Sequence, residues 1–169
     1  METLPQDCGG AATGLDGGVN DRVQGMRRAD GPLLLFDGAC GLCNAVVRFL
    51  LRRDAAGRLR YATLQSAAGQ AELRRRGLPT EDFDSMVFLP DQAAPAYRLR
   101  TEGVAAVLQV LPGSWARWGR WLARVPAPLR DLGYHLVART RYALFGRYRP
   151  RPLENPLWAE RFLDGSPPS

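Results

Sequence analysis

The sequence has 169 residues, which favours a single domain large enough to bury a core. Hydrophobic residues make up 46% and charged residues 24%, ordinary proportions that exclude a chain disordered throughout. The 23 basic residues, all of them arginine, outnumber 17 acidic ones, and the sequence contains no run of about 18 apolar residues that would indicate a membrane span.

The first 31 residues differ from the rest of the chain. They hold seven glycines and almost no apolar periodicity, so they cannot bury enough surface to offset the entropy of ordering. We predict a disordered tail over residues 1–31 and assign no role to its Cys8. Residues 1–30 contain no apolar block of the secretory type, and three cysteines are too few for a disulfide scaffold. We therefore expect a cytoplasmic protein.

The predicted elements begin with a short apolar strand, Leu33–Phe36, of the kind buried in a central sheet. A turn at 37–38 ends it, and a helix follows over about 40–53 with arginines in its last turn, where the helix dipole favours cations. The later pattern predicts a strand at 58–64, a helix at 66–76 capped by Ser66, strands at 85–89 and 96–100, and a helix at 102–111 capped by Thr101.

This order of elements is typical of the thioredoxin-like arrangement. We expect an α/β fold with a central mixed four-stranded sheet, flanking helices, and the first two strands parallel. Proline and glycine at 112–113 break the chain before a mostly helical stretch over 114–148. The predicted organisation is a thioredoxin-like core over 32–111 and a C-terminal helical extension over 112–163 that packs on the core.

Two cysteines stand at the junction of the first strand and the first helix, in the stretch DGACGLC at 37–43. Cys40 falls at the helix start, where unpaired backbone N–H groups and the helix dipole stabilise a thiolate. Cys43 lies one turn later and can close a small disulfide with Cys40. We expect Cys40 to be exposed and Cys43 to be more buried. We interpret the pair as redox-active rather than as two structural thiols or as ligands of a zinc ion.

The segment FDGACGLCNAVVRFLLRRD at 36–54 resembles the DCC family of predicted thiol-disulfide oxidoreductases. That family is named for an Asp-x-x-Cys-x-x-Cys motif and is related to thioredoxin-like folds. Asp37, Cys40 and Cys43 match the motif residue by residue. The resemblance implies protein-disulfide reductase activity, with these three as the candidate catalytic residues.

The resemblance covers about residues 33–163. Its further segments are YATLQS at 61–66, the strand region at 84–89, and RYALFGR at 141–147. The sequence departs from the expected pattern in two places. Residues 148–152 contain no third cysteine of the kind that many family members carry, and residues 81–85 lack the cis-proline that thioredoxins place before the third strand.

Asp37 ends a buried strand and has two candidate roles. Its carboxylate either accepts the proton of the Cys43 thiol or caps the turn by hydrogen bonding to backbone N–H groups near Ala39 and Cys40. We favour capping, the commoner use, although the two roles can coexist. A phosphatase of the haloacid-dehalogenase type is disfavoured, because such enzymes need a second acid where this sequence has Ala39.

A strongly basic stretch lies in the predicted extension. Residues 114–151 carry nine arginines and one acid, a net charge of +8. Within 114–125, arginines lie opposite an apolar stripe made of Trp115, Trp118, Trp121, Leu122 and Val125. We favour packing of this stripe on the core, and the alternative is peripheral contact with a membrane or a partner. No nucleic acid is expected, since no recognised binding motif accompanies the arginines.

Together these patterns predict a thiol-disulfide oxidoreductase, specifically a protein-disulfide reductase, that uses a Cys40/Cys43 dithiol-disulfide couple without a cofactor or a metal. Its expected substrate is a disulfide-containing protein or a small thiol compound, and the electron donor is not indicated. The alternative function is a non-catalytic thioredoxin-like module that docks on a membrane surface or a protein through the basic extension.

Overall fold

The computed structural model describes residues 31–81, 85–149 and 151–164. The predicted tail, except for Gly31, lies outside the described residues, and so does Cys8. Residues 82–84 also lie outside them, and they belong to the stretch that lacks the cis-proline of thioredoxins. Every peptide bond within the described residues is trans.

A four-stranded mixed sheet forms the centre of the fold, in the order β2-β1-β3-β4. The strands are β1 (Leu33–Phe36), β2 (Arg60–Thr63), β3 (Val87–Leu89) and β4 (Arg98–Leu99). β1 pairs parallel with β2 and antiparallel with β3, which pairs antiparallel with β4. The predicted mixed sheet with its first two strands parallel is confirmed, although β3 and β4 are shorter than the sequence pattern indicated.

Five α-helices accompany the sheet in the described residues: α1 (Gly41–Arg53), α2 (Ala67–Arg75), α3 (Arg100–Val110), α4 (Ser114–Arg124) and α5 (Ala127–Phe145). A 3₁₀ helix follows at Pro156–Arg161. None of these helices combines the length and the apolar character needed to cross a membrane.

One predicted helix cap is present and the other is not. Ser66 caps α2 as predicted, because its Oγ accepts a hydrogen bond from the Gly69 N–H at 3.1 Å. The assignment of Thr101 as the cap of α3 is wrong. α3 begins one residue before Thr101, and the Thr101 hydroxyl donates instead to the carbonyl oxygen of Arg130 in α5 at 3.1 Å. Thr101 therefore links α3 to α5.

Alternation along β1 divides the core between the two faces of the sheet. Leu34 and Phe36 pack in the cluster that holds the buried residues of α1 and α3. Leu33 and Leu35 lie in the other cluster, with Leu73 of α2. All four residues of β1 are fully buried, as expected of a central strand covered on both faces. The loop that joins β1 to α1 is therefore anchored by two buried residues, Asp37 and Cys40, while Ala39 between them is exposed.

The C-terminal part of the chain returns to this core. Phe162 packs against Phe36 and Tyr61, with ring centroids 6.5 and 5.5 Å apart. Trp115 at the start of α4 packs edge-on against Phe49 of α1 at 4.9 Å. The helical extension thus contacts the predicted core, while a domain boundary between residues 111 and 112 stays a prediction.

The tryptophan stripe of α4 does not pack on the core as a whole. Trp118 and Trp121 are 60% and 64% exposed, so the expectation of core packing is wrong for both. Gly119 gives the reason, because a Cβ there would lie 2.6 Å from the backbone oxygen of Ala105 in α3. With about 100° of rotation per residue, the helix face centred on Gly119 includes Trp115 but turns the other two indoles outward.

Two helical glycines provide a test of the packing of α2. A Cβ on Gly69 would lie 2.0 Å from the backbone oxygen of Thr63 at the end of β2. Gly69→Ala must therefore displace α2, and it should lower the free energy of unfolding by about 1–3 kcal/mol. Gly133 in α5 is the matched control, because a Cβ there meets no atom within 4 Å. Gly133→Ala should raise the free energy of unfolding by about 1 kcal/mol through helix propensity. Urea unfolding measures both changes, and equal stability of the two variants would contradict the close approach of α2 to β2.

Candidate active site

The start of α1 brings the two cysteines of the motif into contact. Cys40 is the N-cap of α1, and its Sγ accepts a hydrogen bond from the backbone N–H of Cys43 at 3.3 Å. A cap side chain usually satisfies this N–H group with an oxygen atom. Here a sulfur takes that place, so a backbone dipole and the positive end of α1 are directed at Cys40. The predicted position of Cys40 at the helix start is confirmed.

The Cys43 thiol is a second donor to the same sulfur. Burial, the hydrogen bond from its S–H to Cys40, and the charge on Cys40 raise the pKa of Cys43 far above its ordinary value of 9.0. Arg141 lowers this pKa and Asp37 raises it. The geometry therefore combines an acceptor sulfur at Cys40 with a protonated thiol at Cys43, an arrangement that suits a nucleophile and a resolving thiol.

The expectation that Cys40 is exposed and Cys43 more buried is wrong. Cys40 is fully buried, whereas Cys43 is 8% exposed. The cover comes from residues 145–148, here called the strap, which cross the N-terminus of α1. Arg147 of the strap pairs with Cys40 in an antiparallel bridge. Because Cys40 is fully buried, a substrate can reach its sulfur only after a local rearrangement at this end of α1.

Two glycines allow the strap to lie against α1. The Gly41 N–H donates to the carbonyl oxygen of Gly146 at 3.2 Å, and the Tyr148 N–H donates to that of Ala39 at 2.8 Å. A Cβ on Gly41 would lie 2.6 Å from the backbone oxygen of Phe145, so a larger residue would push the strap away. Gly146 has a φ of 64°, in the left-handed region that lets the chain leave α5 and turn toward the cysteines.

The Asp37 carboxylate is buried beside the dithiol and is hydrogen-bonded at both oxygens. Oδ1 accepts from the Ala39 N–H at 2.9 Å and from the Gln65 amide at 2.9 Å. Oδ2 accepts from the Tyr142 hydroxyl and forms an ion pair with Arg141 at 3.6 Å. The bond to Ala39 is the one that the capping interpretation requires. Proton acceptance from Cys43 stays a prediction, because it would require one of these donors to give way.

Sequence reasoning assigned no role to Gln65, Arg141 or Tyr142. The available signal was their membership of the segments YATLQS and RYALFGR, which carry the family resemblance together with the cysteine motif. The structure brings the three segments together at Asp37. Partial loss of solvent around its hydroxyl, the hydrogen bond to Asp37 and the charge of Asp37 raise the pKa of Tyr142 to about 12. The Tyr142 hydroxyl consequently keeps its proton at neutral pH and remains a donor.

A zinc site would need two more ligands besides the cysteine pair, and the remaining cysteine and the single histidine of the sequence are Cys8 and His135. His135 is exposed on α5, and Cys8 lies outside the described residues. Across residues 31–81, 85–149 and 151–164, no three His, Cys, Asp or Glu side chains are grouped so that they could hold a metal ion.

Comparison with known proteins identifies the family. A family model described as DCC1-like thiol-disulfide oxidoreductase matches residues 34–147, most of the chain. The chain belongs to this family. The match confirms the resemblance inferred from the cysteine motif and supports a thiol-disulfide redox role in general terms. The residues matched by the family model run from β1 to the strap, so they include every segment that meets at Asp37 in this DCC1-like protein.

Two relatives are similar to this DCC1-like protein over most of its length. The uncharacterized protein YuxK of Bacillus subtilis (strain 168) is 40% identical over 131 residues, which are 78% of this chain and 93% of the relative. The chloroplastic DCC family protein At1g52590 of Arabidopsis thaliana is 34% identical over 116 residues, which are 69% of this chain and 66% of the relative. No solved structure matches the chain.

The contact between Asp37 and Tyr142 predicts a pH dependence. Asp37→Asn removes a carboxylate that raises the pKa of Tyr142, so this pKa should fall from about 12 toward its ordinary value of 10.0. A raised tyrosine pKa stabilises the fold below pH 10, and that contribution is lost as the pH rises through the folded-state pKa. The stability difference between wild type and Tyr142→Phe should accordingly shrink above pH 10.

Phenolate absorbance during alkaline titration measures this pKa. For the wild type, the curve of Tyr142→Phe is subtracted, which leaves the signal of Tyr142 alone. For Asp37→Asn, the curve of the Asp37→Asn, Tyr142→Phe double variant is subtracted in the same way. An identical Tyr142 titration in wild type and Asp37→Asn would show that the carboxylate does not act on this hydroxyl.

Proposed function

We propose that this DCC1-like protein reduces protein disulfides through a dithiol-disulfide couple of Cys40 and Cys43. The observation that carries the proposal is the environment of the Cys40 sulfur, which accepts the Cys43 N–H at 3.3 Å and the Cys43 S–H. Two donors and the N-terminus of a helix stabilise negative charge on that sulfur. A thiolate is the form of cysteine that attacks a disulfide.

The proposed reaction has two exchange steps. In the first, the Cys40 thiolate attacks one sulfur of the substrate, the substrate S–S bond breaks, and the departing thiolate takes a proton from solvent. In the second, Cys43 gives up its proton and attacks the Cys40 sulfur of the mixed disulfide. The remaining half of the substrate leaves as a thiolate and is protonated. The protein ends as a disulfide and the substrate as two thiols.

The first step prepares Cys43 for the second. Two causes of its raised pKa, the hydrogen bond to Cys40 and the charge on Cys40, end when Cys40 enters a mixed disulfide. Burial and Asp37 continue to raise this pKa, and Arg141 continues to lower it. The pKa of Cys43 therefore falls when a second thiolate is needed. Asp37, within electrostatic range of Cys43, is proposed to accept the released proton in addition to capping the loop.

The proposed direction is reduction. It rests on the cytoplasmic location expected from the sequence, because glutathione and thioredoxin systems keep cytosolic thiols reduced. The substrate is then a protein or small-molecule disulfide, and a separate reductant has to return Cys40 and Cys43 to the dithiol state after each cycle.

Serine substitutions test the two cysteine roles. Cys43→Ser should accumulate mixed disulfides on Cys40, because the resolving sulfur is missing, and Cys40→Ser should trap none. Both changes should abolish reduction of insulin disulfides, and Cys8→Ser is the matched control that should retain it. Mass spectrometry locates the trapped partner, and a turbidity assay follows insulin. Equal trapping by the Cys40 and Cys43 variants, or full activity of Cys40→Ser, would contradict the proposal.

Docking on an anionic membrane surface is a second candidate function, favoured by the exposed face of α4. The rings of Trp118 and Trp121 lie 6.1 Å apart and, with Arg117, border a hollow of about 310 Å³. Arg120 is exposed on the same helix, and residues 114–151 carry a net charge of +8. Indole rings enter the headgroup region of a bilayer while arginines attract anionic lipid, so a lipid surface is the proposed partner of this face.

Vesicle sedimentation tests this second function. The protein should bind vesicles that contain phosphatidylglycerol and should not bind pure phosphatidylcholine vesicles. Trp118→Ala with Trp121→Ala should weaken binding about tenfold or more, because two aromatic side chains no longer enter the interface. Leu129→Ala with Leu132→Ala is the matched control, since these exposed leucines lie on α5. Equal binding to both vesicle types, or an equal loss in the control, would exclude the tryptophan face as the docking site.

A further inference from the structure

A basic cleft adjoins the covered dithiol. It has a volume of about 640 Å³ and lies between the first turns of α1 and residues 145–149 and 151. Four arginines line it, namely Arg48, Arg147, Arg149 and Arg151, and its lining contains no acidic residue. The proposed reaction, as described above, makes no use of this cleft.

One of the four arginines is fixed as part of the cleft wall, and the other three are exposed in the cleft. Arg48 is held by the backbone oxygen of Pro152 at 3.1 Å and by the Tyr148 hydroxyl at 3.0 Å, so it fixes the wall. Arg147, Arg149 and Arg151 are exposed, and no carboxylate in the described ranges pairs with any of the three. Three uncompensated cations at one small cleft create a positive potential that attracts anions.

The cleft and Cys40 both adjoin the strap. Gly41, which lines the cleft, directly follows Cys40, and Arg147, which also lines it, pairs with Cys40 across the antiparallel bridge. A ligand held at the exposed arginines of the cleft therefore lies beside the segment that contacts Cys40.

We propose that this cleft binds the carboxylates of an anionic disulfide substrate. The inference rests on the proposed reductase function and adds the substrate class to it. Planar guanidinium groups bind carboxylates through paired hydrogen bonds, and their charge persists at every physiological pH. Arg147 and Arg149 hold a carboxylate-bearing half of the substrate while the Cys40 thiolate attacks its S–S bond. Both halves leave as protonated thiols, as the two exchange steps above require.

The test compares three disulfides that differ in charge. Glutathione disulfide is anionic, bis(2-hydroxyethyl) disulfide is uncharged, and cystamine is cationic. Stopped-flow fluorescence measures how fast each one oxidises the reduced full-length protein. Each rate is divided by the rate of dithiothreitol with the same disulfide, which removes differences in intrinsic reactivity. The corrected preference for glutathione disulfide over cystamine should be about 10-fold or more and should fall as salt is added.

Single charge reversals locate the site. Arg149→Glu should lower the corrected preference about 10-fold or more. Arg139→Glu is the matched control, because Arg139 is exposed on α5 and lines a different cleft. A wild-type protein with no preference for anionic disulfides, or a preference that salt does not change, would overturn the inference while leaving the reductase function standing. Loss of the preference in Arg139→Glu alone would also overturn it. Failure of all three disulfides to oxidise the dithiol would instead refute the reductase function.

Discussion

The buried carboxylate of Asp37 is the contact on which the arrangement of the site depends. It joins the end of β1 to Gln65, 28 residues away, and to Tyr142, 105 residues away. A buried charge is stable only when hydrogen bonds and an opposite charge replace its water, and Gln65, Arg141 and Tyr142 supply these. The same contacts fix the end of α5, from which the strap crosses the dithiol. The motif aspartate thus positions the cover of the site as well as the loop that carries the cysteines.

The burial of Cys40 separates the electrostatic environment of its sulfur from the accessibility of that sulfur. The helix N-terminus and the Cys43 N–H favour charge on the sulfur, while the strap keeps other molecules away from it. Two backbone hydrogen bonds tie the strap to the start of α1, and each contributes about 1 kcal/mol net. Arg48 of α1 also donates to the Tyr148 hydroxyl of the strap at 3.0 Å, so lifting the strap breaks at least three hydrogen bonds, at a cost of about 3 kcal/mol. Exchange rates then depend on this opening as well as on the sulfur itself.

Sequence reasoning was correct where local spacing decides the structure. Cys40 stands at the start of a helix, Ser66 caps a helix, and β1 pairs parallel with β2, all as expected, because helix starts and strand burial are visible in short windows. It was wrong where a segment far away in the sequence determines the burial or orientation of a residue. The strap that buries Cys40 follows it by more than a hundred residues, and no local pattern shows that pairing. The helix α4 was predicted correctly, but the face that it turns toward the core was not. That face is set by the contact of Gly119 with α3, and Trp118 consequently faces solvent.

The long separation between the cysteine pair and its cover has a consequence for synthesis on the ribosome. Translation proceeds at about 5–20 residues per second, so the 105 residues between Asp37 and Tyr142 take roughly 5–20 s to add. During this interval the nascent chain carries both thiols without α5 or the strap. Oxidants and foreign thiols have their easiest access to the cysteines at this stage. Docking of α5 ends this period, and the C-terminal third of the chain therefore covers the cysteine pair during biogenesis as well as completing the fold.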